Sequence, residues 1–194
     1  MPARIEFDYG RAVDRATQLF WRRGYRDTSL RDLLTAMGIG EGSFYNTFKS
    51  KRLLYLECLK HYNETVSRRR LDALMGPASA KAGIRAFFQF LLDEFDNPKI
   101  PSLCMLAGSV SSEVLREREL APTVMRDMQA FGSAFKERLE AAKKSGELPG
   151  DYDAEQAANV IMTFLMGLFR MIRVLNTRAE MEAQVEMLLG GLGL

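Results

Sequence analysis

Residues 28–51 read T-S-L-R-D-L-L-T-A-M-G-I-G-E-G-S-F-Y-N-T-F-K-S-K. Ser29 is placed to cap a helix, with Asp32 three residues on to complete a variant of the capping box. Leu30, Leu33, Leu34 and Met37 follow at helical spacing. Gly38-Ile39-Gly40 makes a tight turn, and a short helix runs from about Glu41 to Phe48. Ser50 caps a further helix that opens near Lys51. A capped helix, a glycine turn and a second short helix predict a helix-turn-helix.

On a helix, Phe44 and Phe48 are four residues apart and share one face. They dock the short helix on its neighbours. Gly42, Ser43, Tyr45 and Asn46 are left outside. That face is small and polar, and it suits a DNA major groove, which is about 12 Å wide. Gly42 lets the backbone approach, Ser43 and Asn46 reach base edges, and the Tyr45 hydroxyl reaches a phosphate. Ser50 and Lys51 begin a helix whose free N–H groups favour an anion. Thr28 and Ser29 stand in the same relation to a second phosphate. The alternative is a connecting helix that merely has a polar outside.

Outward from this motif, residues 8–23 predict a first helix, stopped by Gly24. The helix from Lys51 is expected to reach Leu74, with Leu53, Leu56, Leu59 and Tyr62 inside. Gly76-Pro77 ends it. Further helices are expected over 79–96, 102–109, 111–145, 153–175 and 178–190. The Asp93-Glu94 pair reads as a solvated face. No alternating strand pattern and no internal repeat occurs. The expectation is an all-α chain of about nine helices. An N-terminal three-helix domain occupies residues 1–50. Long helix 51–75 joins it to a helical domain spanning 51–194.

Of 194 residues, 47% are hydrophobic and 27% charged, as in a soluble globular chain. No apolar run is long enough for a membrane span, and the N-terminus lacks a secretory core. Two cysteines make no disulfide framework, so cytoplasm is the expected compartment. Net charge is +2, but residues 1–75 hold 14 Lys/Arg against 9 Asp/Glu, leaving 13 against 16 in the remainder. The N-terminal part is therefore +5 and the rest −3, a bias that suits an anionic partner at the N-terminal end. One histidine, no G-x-S-x-G, no metal-spaced Cys/His group and no phosphate-binding glycine loop argue against an enzyme. No cofactor or metal is expected.

The stretch F-W-R-R-G-Y-R-D-T-S-L-R-D-L-L-T-A-M-G-I-G-E-G-S-F-Y-N-T-F-K-S-K-R-L-L resembles the TetR/AcrR family of bacterial transcriptional regulators. Gly24, Thr28, Gly38, Gly42, Ser43, Tyr45, Phe48 and Lys51 carry the resemblance. It implies that 41–48 is the recognition helix, that Thr28, Ser29, Tyr45 and Lys51 hold phosphates, and that Gly42, Ser43, Asn46 and Thr47 face bases. Glu41 departs from the basic residue or proline frequent there; it repels a phosphate or accepts from a cytosine amino group. Asn46 stands where His or Arg is frequent.

The resemblance further implies a homodimeric repressor on double-stranded operator DNA, released by a small-molecule effector held in a C-terminal pocket or by thiol modification; no membrane partner is expected. Dimer contacts are expected from the last two helices, at Ala157, Ile161, Phe164, Leu165, Leu168, Val185, Leu188 and Leu189; the same stripes could instead pack inside the subunit. Pocket candidates are His61, Tyr62, Phe88, Phe95, Cys104, Phe131 and Phe164. His61 could equally lie on the surface. Cys104, after Pro101-Ser102-Leu103, would sit in a first helical turn, where a thiol becomes more reactive; alternatively it is a small buried hydrophobe. Cys58 reads as packing. A DNA- or protein-binding adaptor of the same fold without an effector is the other reading.

Overall fold

A computed structural model describes residues 7–101, 104–111, 113–171 and 177–194. Every regular element in them is helical. The helices are α1 (Tyr9–Arg23), α2 (Leu30–Met37), α3 (Glu41–Phe48), α4 (Lys51–Tyr62), α5 (Arg68–Met75), α6 (Ala80–Phe95), α7 (Met105–Ser109), α8 (Ala121–Ser145), α9 (Ala154–Met171) and α10 (Arg178–Gly191). A π turn, Asn63–Ser67, joins α4 to α5. Counted as one rod, α4 and α5 leave nine helices among the described residues.

Local chemistry sets the ends of the first three helices. Asp8 caps α1, and Gly24 ends it at φ 82°. Ser29 and Asp32 exchange both bonds of the capping box on α2, and Gly38 closes it in the left-handed region at φ 71°. Ala16, Phe20, Leu33, Phe44, Leu54 and Leu59 are fully buried or nearly so, and they fix α1–α3 against α4. Burying a side chain such as Phe20 contributes about 1.5–3 kcal/mol.

The rod 51–75 changes phase midway. Leu54, Tyr55, Cys58, Leu59 and Tyr62 are buried, whereas Leu53 is 39% exposed. After Tyr62 the next buried positions are Ser67, Arg70 and Leu74. A continuous α-helix would return inside three or four residues after Tyr62; the π turn uses five. Arg70 rather than Arg69 is thereby brought inside. The rod then packs on α6 at Gly83, where an added Cβ would meet the Leu74 carbonyl.

The segment 111–145, expected as one helix, is broken. A 3₁₀ turn at Val114–Arg116 precedes α8, which begins at Ala121 with Pro122 in its first turn. Proline suits that place and disrupts a helix interior. Likewise α7 begins at Met105, so Cys104 is its N-cap residue and not in the first turn. Ser102, Leu103, Ser112 and the stretch 172–176, including the end of the expected helix 153–175, lie outside the described residues. Phe87, Phe88, Phe135, Leu139, Ile161 and Leu165 form the centre of the C-terminal part.

Candidate nucleic-acid interface and effector site

Helix α3 turns Phe44 and Phe48 inward, with 0% and 3% exposure. Phe48 stacks on Tyr9 at 5.5 Å between ring centroids. Glu41, Gly42, Tyr45, Asn46 and Thr47 are exposed and Ser43 is half-buried. Nothing stands within 4 Å of where a Gly42 side chain would begin, so the backbone there is open to approach.

Three of the expected phosphate contacts need separate accounts. The Thr28 side chain is fully buried, and its hydroxyl donates to the Gly24 carbonyl at 2.7 Å. It is a structural tie between α1 and α2 and presents no hydroxyl to a phosphate. The Ser29 hydroxyl is exposed but already shared with Asp32 at 2.6 Å. Hydrogen bonds from the Ser29 hydroxyl and backbone hold the Asp32 carboxyl below its usual range, with Arg23 adding to this. Lys51 Nζ lies 4.5 Å from the centre of the Tyr25 ring, and burial lowers its pKa against the opposing pull of Glu113 and Asp27.

Lys49 was not singled out by the sequence. It sits at φ 64°, ψ −39°, the centre of a tight turn in which the Ser50 N–H donates to the Phe48 carbonyl at 2.7 Å. A non-glycine residue there is strained by roughly 1–3 kcal/mol. Its exposed ammonium, bonded to the Asn46 carbonyl at 2.6 Å, lies beside the outer face of α3. A lysine between two helices was the only signal.

In the C-terminal part, a chain of buried polar groups begins at Cys104. Tyr62 donates to the thiol sulfur at 3.4 Å and accepts from Arg70 at 2.9 Å. Arg70 Nε also donates to Glu94 at 2.7 Å, with both side chains almost free of solvent. Burial raises the Tyr62 pKa well above that of a free phenol. Burial also disfavours the Arg70 charge, but Tyr62, Cys104 and Glu94 outweigh it and keep the guanidinium protonated. Glu94 is thus a core residue, whereas its neighbour Asp93 is exposed and pairs with Arg178.

Beside this chain lies a cavity of about 20 Å³, lined on one side by Arg70 and Cys104 and otherwise by apolar groups that include Met128, Phe131, Met162 and Met166. Of the seven expected pocket residues, Cys104 and Phe131 line it and Tyr62 touches Cys104. His61 faces the other way, 3.3 Å from Asp14 of α1. Phe88 and Phe164 pack edge to face on each other, and Phe95 packs on Phe169. None of these four reaches the cavity. Arg70 and the three methionines were not among those seven; in the sequence Arg70 stands in the run Arg68-Arg69-Arg70, which gives no sign of burial.

The expected dimer residues are also redistributed. Ala157, Ile161, Leu165, Leu168, Val185 and Leu189 are no more than 5% exposed within one subunit. They are core, because the strongest apolar stripe of each helix faces its own domain. Phe164 and Leu188 are half-buried. A second stripe faces outward: Val160, Phe164, Gly167 and Met171 on α9, and Met187 on α10, which is 79% exposed. Among the described residues no His/Cys/Asp/Glu group could hold a metal ion, and no helix is long and apolar enough to cross a membrane.

Residues 12–58 match the family model described as bacterial regulatory proteins, tetR family. Residues 80–188 match that of the tetracyclin repressor-like C-terminal domain. The chain is 34% identical to the uncharacterized HTH-type transcriptional regulator YezE of Bacillus subtilis (strain 168) over 75% of each chain. It is 23% identical to the HTH-type transcriptional repressor ComR of Escherichia coli (strain K12), over 84% of this chain and 78% of that one. Among solved structures it is similar to a cysteine mutant of the TetR family regulator CifR complexed with 26-bp double-strand operator DNA. There the TM-score is 0.85 at 31% identity, covering 94% of this chain and 96% of that one.

Proposed function

The chain belongs to the TetR family of bacterial helix-turn-helix transcriptional regulators, and from that premise we propose a dimeric repressor that leaves its operator when the C-terminal domain is occupied or modified. Residues 1–50 serve as the DNA-binding domain and 51–194 as the effector and dimer domain, with the rod 51–75 between them. The observation that carries the DNA reading is the division of α3 into two buried phenylalanines and an exposed face of Gly42, Tyr45, Asn46 and Thr47. Asn46 and Ser43 read base edges, and Tyr45, Lys49 and the N-terminus of α4 hold phosphates. Glu41 meets a cytosine amino group or lies outside the groove. The complex of CifR with operator DNA supports this assignment.

Two subunits associate through the outward stripe of Val160, Phe164, Gly167, Met171 and Met187. Each recognition helix then reads one half-site, and their separation sets the spacing. An effector acts by binding more tightly to subunits whose two helices no longer match that spacing. The inner cavity of about 20 Å³ admits a single water. A ligand enters it only as the flexible Met128, Met162 and Met166 move aside. Modification of Cys104, which also breaks its bond from Tyr62, is the second route.

Anisotropy titration of fragments from the gene's own promoter tests the DNA reading. Tight, salt-dependent binding to one fragment over bulk DNA is the expected result. Equal weak binding to all fragments would refute it. A thermal-shift screen of small molecules and electrophiles on wild type and Cys104→Ala separates the two release routes.

A further inference from the structure

A second, larger space lies outside the inner cavity. It is a cleft of about 370 Å³ between the C-terminal end of α1, the side of α4, the α7 segment and the end of α9. Its size falls within the roughly 300–1,000 Å³ of small-molecule sites, which the inner cavity does not reach. Trp21 and Tyr55 contribute aromatic wall, and Cys104 lies where the cleft approaches the inner cavity. Arg22, Arg23 and Arg170 line it, and among the described residues no Asp or Glu does. Arg23 is 3.5 Å from Asp32, but no ion pair among the described residues involves Arg22 or Arg170.

We propose that this cleft binds an aromatic carboxylate or a closely similar flat organic anion. Three exposed arginines around partly apolar walls concentrate a positive field at the cleft. Guanidinium groups hold carboxylates by charge-assisted, often paired, hydrogen bonds, and also stack on ring faces. Trp21 and Tyr55, 6% and 2% exposed, form an aromatic floor to the cleft, and the arginine planes supply the face on which the ring stacks. A cation would be repelled, and a neutral molecule would leave the arginines unmatched.

The location gives occupancy a consequence. Trp21 and the arginines 22 and 23 belong to the DNA-binding domain, whereas Cys104 and Arg170 belong to the effector domain. Trp21 also meets the Tyr62 ring edge to face at 4.9 Å, so the occupant is one side chain from the Tyr62–Cys104 bond. The site depends on the fold alone and stands whether or not the operator reading does.

Trp21 is the single tryptophan of the chain and serves as the reporter. The purified full-length protein is titrated without DNA with 4-butylbenzoate, and with 4-butylbenzyl alcohol as its neutral counterpart. Saturable change in Trp21 emission is expected for the acid, with the alcohol about tenfold weaker or more. The Arg22→Gln/Arg170→Gln double variant should lose about tenfold for the acid while its circular dichroism and promoter binding stay unchanged. The bound acid should also slow alkylation of Cys104 by iodoacetamide. Equal affinity for acid and alcohol would overturn the proposal, as would undiminished binding in the double variant or no saturation by about 10 mM.

Discussion

The Arg70–Glu94 pair carries two charges with almost no water around them, 3% and 7% exposed at the side chain. Such a pair is costly to break because the surviving charge stays buried. Glu94→Ala should lose about 3–5 kcal/mol in urea unfolding, whereas the double change Arg70→Met/Glu94→Leu should recover most of it. If the double variant is as unstable as the single one, the pair contributes more than mutual compensation. A different residue-scale effect concerns pH. Burial raises both the Cys58 thiol and the Tyr55 phenol to about 12. The unfolded chain releases these protons at lower pH than the folded one. Their contribution is therefore fully present below about pH 9 and is lost as pH rises from there towards 12, by up to about 1.4 kcal/mol per pH unit for each group. Urea midpoints measured between pH 8 and 11 should fall, and Cys58→Ala should flatten the lower part of that fall. Arg70 was illegible in the sequence for a geometric reason. A helical wheel assumes one period throughout, and the π turn at Asn63–Ser67 delays every later position by one.

On the proposed DNA reading, Asn46 of helix α3 reads a base and Lys49 at its end holds a phosphate. Asn46→Ala should cost about 1–3 kcal/mol of operator affinity and relax preference at one base pair. Lys49→Gln should instead weaken all sequences alike and reduce the salt slope by about one phosphate. Competition anisotropy at several salt concentrations distinguishes the two; matching effects on every sequence would take Asn46 off the bases. The ends of α2 and α3 were legible because Ser29, Asp32, Gly38 and the Phe44–Phe48 pair act within a few residues of themselves. Thr28 was misread for the opposite reason. Its hydroxyl is claimed by Gly24, a partner that only the folded turn between α1 and α2 provides. The start of α8 was marked by Pro122, but the apolar spacing on either side concealed it.

For the whole molecule, the outward stripe on α9 and α10 is the surface on which the dimer reading depends. Val160→Glu, at an exposed position of that stripe, should leave each subunit folded and shift sedimentation equilibrium towards monomer. Ile161→Ala should do the reverse: about 2–5 kcal/mol lost within the subunit, with self-association of the folded fraction retained. A Val160→Glu variant that remains dimeric would place the interface elsewhere. The sequence showed that both helices were apolar; it did not show which of two stripes met its own subunit, since burial against α8 and α6 is a tertiary fact. The rod formed by α4, the π turn and α5 packs on α1 at one end and on α6 at the other, and its π turn holds one residue more than an unbroken α-helix needs. That makes the rod unequally tolerant of changes in length. Removing exposed Thr65 should let the turn relax into plain α-helix with Tyr62 and Arg70 still on the same side, and circular dichroism should show a folded, DNA-binding protein. Removing exposed Glu57 from α4 should rotate everything beyond it by about 100° and abolish folding. The spare residue makes this one turn a slack link in an otherwise rigid shaft.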